Sequence, residues 1–125
     1  MRRIKNNTKR NSKRFKVQNR VFMEIRGLLN LNCKIINISR GGLAFIYNDN
    51  GDRPGEKINL DLFIKKNGFQ IRNLSARIIS DSPVSDWSYF YFKKKRKCCA
   101  QFIGLIQNME EQLNNFIKNY SGSEV

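Results

Sequence analysis

Apolar and polar residues alternate one for one in two stretches of this chain. Val21, Met23 and Ile25 oppose Arg20, Glu24 and Arg26, and Ile58, Leu60, Leu62 and Ile64 oppose Asn59, Asp61 and Phe63. A period of two puts every second side chain on the same face, so each stretch reads as a half-buried strand and not as a helix. The first ends at Gly27. Further strands are expected from about Asn32 to Ile38, from Gly42 to Tyr47, from about Phe69 to Ser80 and from Cys98 to Ile106, with Tyr89 to Phe92 as a short additional candidate. Turn-forming residues join them: Ser39-Arg40-Gly41, the run from Asn48 to Gly55, a Lys65-Lys66-Asn67-Gly68 hairpin loop, and a break from Asp81 to Asp86.

One stretch has a different period. Met109, Leu113, Phe116, Ile117 and Tyr120 line one face of a helix expected over residues 108–120, with Asn108 as N-cap and Glu111 completing a capping box. Short antiparallel strands followed by a single amphipathic helix imply a mainly β fold, a six-stranded Greek-key-like barrel with a C-terminal α-helix. Two packed sheets without closure are the alternative. A chain of 125 residues suits one domain. Residues 1–19 are expected to form a flexible basic arm, because they lack the apolar surface that offsets the entropy of ordering, and residues 20–125 the domain.

Charge narrows the partner. The formal net charge is +14, and nine of the first twenty residues are Lys or Arg with no acid among them. Such a surface concentrates phosphates, nucleic acids or anionic lipid around it. Abundant Lys, Asn and Ile equally suggest an A/T-rich coding sequence, which accounts for the lysines better than for the arginines. No apolar run of eighteen residues occurs and the basic leader lacks a signal-type apolar core, so a cytoplasmic protein without a transmembrane segment is expected. Cys33, Cys98 and Cys99 have no C-x-x-C or Cys/His spacing, which fits free thiols in a reducing compartment and no metal site.

Histidine is absent, which removes Ser-His-Asp and Cys-His nucleophile systems and HExxH metal sites. Neither a Walker-type loop nor G-x-G-x-x-G is present. The chain therefore reads as a binder and not as an enzyme.

Two motifs carry binding chemistry. Arg10-x-x-x-Arg14 places two guanidiniums on one short arm, where each can fork hydrogen bonds to phosphate oxygens or to the O6 and N7 edge of guanine. By itself the pair is equally an exposed, solvated arm. Asn37-Ile38-Ser39-Arg40-Gly41-Gly42 sets a carboxamide, a hydroxyl and two glycines on a strand-to-strand turn. Asn37 and Ser39 are expected on one strand face, with Gly41 and Gly42 allowing positive φ and close backbone approach to an anion or a base. Taken alone, this is also an ordinary turn capped by its own serine.

Together, R-x-x-x-R in a leader and [D/N]-x-S-x-x-G between two strands resemble the PilZ domain, a bacterial receptor for cyclic di-GMP. Phe15 to Ile25 resembles that family's first strand, Gly42-Leu43-Ala44-Phe45 the strand after its turn motif, Ala100 to Leu105 its closing strand, and Met109 to Tyr120 its terminal helix. The resemblance spans about residues 9 to 120. It implies that Arg10, Arg14, Asn37, Ser39 and Gly42 bind cyclic di-GMP, with Lys9, Lys13, Arg40 and Gly41 as additional contacts and no metal. Asn37 replaces the commoner aspartate, which implies weaker binding than an aspartate form. A cation at Lys9 implies a preference for an intercalated ligand pair. The family's outputs, through a downstream protein partner, include motility, pili, exopolysaccharide synthesis and virulence.

Two alternatives stay open. Trp87, Tyr89, Phe90, Tyr91 and Phe92, followed by Lys93 to Lys97, have the mixture of aromatics and cations that grips a nucleic acid, or they are core aromatics beside a solvated charged turn. A PilZ-like protein-interaction module that binds no nucleotide is the other, disfavoured because the arginine pair is present.

Overall fold

In the computed structural model, residues 13–17, 21–28, 31–65, 68–84 and 94–124 are described. They form strands β1 (Phe15–Val17), β2 (Val21–Ile25), β3 (Lys34–Ile38), β4 (Gly42–Asn48), β5 (Lys57–Ile64), β6 (Gln70–Pro83) and β7 (Lys95–Phe102), helix α1 (Gln107–Tyr120) and strand β8 (Ser121–Glu124). All pairings are antiparallel, in the order β2-β5-β6-β7-β4-β3-β1-β8. The first six strands of that order curl until β2 returns beside β3, without a hydrogen-bonded ladder between the two. The result is a half-open barrel, with β1 and β8 extending the sheet past β3.

Alternation is realised where the sequence shows it. Val21, Met23 and Ile25 are buried on β2, as are Ile58, Leu60, Leu62 and Ile64 on β5, and Leu43, Phe45 and Tyr47 fill the same interior from β4. Bulges supply the curl, since register shifts fall between Leu60 and Leu62, Ile78 and Ser80, and Ile35 and Asn37. Leu113, Phe116 and Ile117 bury one face of α1, and Phe69 stacks on Phe116 at 5.9 Å between ring centroids. The helix rests against β6, β1 and β8.

Several expectations need correction. Eight strands are present where six were expected, because β1 and β8, of three and four residues, are too short to show a pattern. β1 lies within the stretch read as a flexible arm, held between β3 and β8. Asp81 does not break the sheet. β6 continues to Pro83 opposite Arg96, and β7 begins at Lys95, so the end of the basic run is strand. A polar cluster explains this. Asp81 accepts hydrogen bonds from the fully buried Tyr47 hydroxyl (2.7 and 2.8 Å) and from Arg96 Nε (2.9 Å), while Arg96 Nη2 donates to the Asp81 carbonyl (3.0 Å). Burial and the adjacent carboxylate push the Tyr47 hydroxyl's pKa above its ordinary value.

The closing strand ends at Phe102, and Gly104 turns away with φ +64°. Glu110 N–H donates to the Ile106 carbonyl (3.0 Å), so Ile106 occupies the N-cap and Asn108 lies inside the first turn, which leaves no capping box. Tyr89 to Phe92 and Trp87 fall outside the described residues.

A test of the polar cluster is Tyr47→Phe, which keeps the ring and deletes its hydroxyl. Stability measured by urea unfolding should fall by about 1–2 kcal/mol. An unchanged midpoint would show that the cluster does not hold the β6 and β7 ends together.

Candidate functional site

The bulge in β3 builds one half of the site. Ile36 is the extra residue between Ile35 and Asn37, so Ile35 and Ile38 are both buried although three positions apart. Asn37 is thereby aimed at the exterior, half-buried, opposite Lys16 of β1 and Ala44 of β4. Re-aiming one side chain is what a bulge does without disturbing the core on either side.

The turn after β3 is self-capped. Ser39 is 6 % exposed, and its Oγ accepts from the Gly41 N–H (3.1 Å) and the Gly42 N–H (3.2 Å). Ser39 N–H donates to the Gly42 carbonyl (2.8 Å), and Phe102 N–H donates to the Gly41 carbonyl (2.9 Å), which fastens the turn to β7. Ser39 thus lies beyond the end of β3, with its hydroxyl committed to the turn. The glycine reading also changes. Neither Gly41 nor Gly42 has positive φ, and Gly42 is required by close approach instead: a Cβ there would stand 2.1 Å from the Ala100 carbonyl oxygen.

Across from the turn stands Arg14, half-buried just ahead of β1. Its Nη1 donates to Asn37 Oδ1 at 3.2 Å, joining residues 23 positions apart in sequence. The two motifs therefore meet at one exterior surface. A guanidinium has five N–H donors, so this contact leaves most of its fork for another acceptor. Lys13 is exposed beside Arg14, and Arg40 and Gly41 are exposed at the tip of the turn. Lys9 and Arg10 lie outside the described residues.

Register brings in exterior residues that no motif flags. Gln101 lies opposite Gly42, and Arg77 opposite Gln101; both are exposed. Their signal is strand pairing, which emerges only once β6, β7 and β4 are aligned. A cleft of about 310 Å³ opens between the turn and α1, lined by Arg40, Gly41, Glu110, Leu113 and Asn114.

Other chemistry is sparse. Burial pushes the Cys33 and Cys98 thiols up to about 12, so thiolates are scarce at neutral pH and both residues serve as packing. Among the described residues, no group of three or more His, Cys, Asp or Glu could hold a metal ion, and no helix is long and apolar enough to cross a membrane.

The profile of the PilZ domain matches residues 8–119 of this sequence. The chain belongs to the PilZ domain family. Among solved structures, this PilZ domain is similar to the one described as the PilZ domain with c-di-GMP of YcgR from Escherichia coli, at a TM-score of 0.67 and 16 % identity over 89 % of this chain and 90 % of that one. At that identity the likeness establishes the fold. No curated protein matches the sequence. The expected mainly β fold with its terminal helix is thus the fold observed, with the strand count corrected to eight among the described residues.

Proposed function

We propose that this PilZ domain is a non-catalytic receptor for cyclic di-GMP in the cytoplasm. The observation that carries the reading is the Arg14–Asn37 hydrogen bond, which sets a guanidinium fork beside the carboxamide turn on one exposed surface. Arg14 donates to a phosphate or to the guanine O6 and N7 edge, and Asn37 meets the base from the turn side. Ser39 acts through the turn it caps, and Gly42 through the close approach of β4 to β7. Arg10 and Lys9 join from the arm, and Lys13, Arg40 and Gly41 border the same surface. Support comes from the family match and from the related domain described with c-di-GMP. Ordering of the arm around the ligand then presents a new surface to a downstream protein that acts on motility, pili, exopolysaccharide synthesis or virulence.

Isothermal titration of the full chain with cyclic di-GMP tests the reading. Saturable heat is expected, with an affinity that falls only shallowly with salt, because one small dianion displaces few counterions. A steep salt slope would instead mark a polyanion site. Absence of heat in the wild type would remove the proposal. In Ser39→Ala, the Gly41 and Gly42 amides lose their side-chain acceptor, so affinity should drop about tenfold and stability by about 1 kcal/mol. A variant with wild-type affinity would detach the turn from binding.

A further inference from the structure

The cleft between the turn and α1 combines groups that suit a purine base better than a phosphate. Arg40 and Gly41 line one wall, Glu110 and Asn114 the other, and the buried Leu113 lies beneath. Its volume of about 310 Å³ is at the lower end of small-molecule sites. Among the described residues neither Arg40 nor Glu110 has an ion-pair partner, although both face the same space.

An acid here calls for a reason. The chain carries 24 basic residues against 10 acidic ones, and a carboxylate beside an anion site repels phosphate. Guanine resolves the conflict. Its N1–H and 2-amino group are donors that a carboxylate accepts together, and its O6 and N7 accept from a guanidinium. The cleft presents one of each. Gly41 lies four residues from Asn37, so at most about 14 Å of chain separates the cleft from the Arg14–Asn37 pair. One dinucleotide can reach both.

We infer that this cleft is a guanine subsite, in which Glu110 reads the Watson–Crick donors of a base and Arg40 its O6 and N7. The inference rests on the cyclic di-GMP reading and extends it to α1. Occupancy of the cleft then touches the terminal helix directly, through Glu110 in its first turn and Asn114 in the next.

Glu110→Gln in the full chain tests this, with cyclic di-GMP and its inosine analogue, which lacks the 2-amino group, as titrants. Removing a negative charge from a basic protein should by itself tighten an anion. The hydrogen-bond reading predicts the reverse: cyclic di-GMP bound about tenfold more weakly, and the wild type's preference for guanine over hypoxanthine reduced by a similar factor. Glu110 is exposed, so the circular dichroism spectrum and melting temperature should stay near those of the wild type. Equal or tighter binding by the variant, with base preference retained, would overturn the subsite and leave the proposed function standing. A wild type that binds neither titrant would overturn both.

Discussion

Gly42→Ala should lower stability by about 3 kcal/mol, and with it the melting temperature by roughly 10 °C. The added methyl would sit 2.1 Å from the Ala100 carbonyl oxygen, 3.1 Å from the Ala100 carbonyl carbon and 3.1 Å from the Gln101 Cα. All three are backbone atoms of β7. No rotamer relieves the clash, so β4 must move away from β7 where the two strands begin to pair, with Gly42 opposite Gln101. The displacement then spreads to the turn, because the Gly41 carbonyl is held by Phe102 N–H and Ser39 by Gly42 itself. Ligand affinity should fall together with the melting temperature. If Gly42 were needed only so that a ligand could approach its backbone, the variant would melt like the wild type and simply fail to bind. Denaturant unfolding alongside titration separates the two accounts.

That contrast shows what the sequence can and cannot disclose. The motif points to Gly42, but not to why a glycine stands there, since φ is ordinary and the obstacle comes from a strand almost sixty residues later. Alternation revealed β2 and β5 because each has one wet face and one buried face. It failed at the ends of β6 and β7, where Asp81 and Arg96 occupy inward positions. The Tyr47 hydroxyl and the Arg96 guanidinium, both distant in sequence, make Asp81 tolerable there. The motif singles out Asn37 as a candidate for binding, whereas its orientation depends on a bulge opposite Phe45 and Ala44 that no local pattern announces. The helix was plain from its period, but its first turn begins at Gln107 because Glu110 bonds to Ile106. Glu110 itself becomes informative only when α1 is laid beside the turn, as neighbours in a cleft and not in sequence.

Arg14→Ala should weaken cyclic di-GMP about a hundredfold. Two charge-assisted hydrogen bonds lost from one guanidinium correspond to about 3 kcal/mol, and the half-buried side chain lies just ahead of β1 and outside the buried core, so its removal should cost the fold little. Arg14→Lys keeps the charge without the fork, and about a tenfold loss is expected. If lysine restored full affinity, Arg14 would be acting as a point charge and its geometry would be irrelevant. The hydrogen bond to Asn37 makes a sharper claim. If Asn37 Oδ1 holds Arg14 in place as well as meeting the ligand, Asn37→Ala already forfeits part of what Arg14 supplies. The double variant should then lose less affinity than the two single losses combined, by about 1 kcal/mol of coupling. Thermal unfolding of the free protein should show no comparable coupling, because a half-exposed 3.2 Å hydrogen bond contributes little without the ligand. Strict additivity in affinity would mean that the arginine and the turn contact the dinucleotide independently. Asn37→Asp probes the same contact from the other side. An ion pair to Arg14 would hold the guanidinium more firmly and offer guanine a stronger acceptor, so affinity should rise in the same titration, and a fall would mean that the ion pair withdraws the fork from the phosphate.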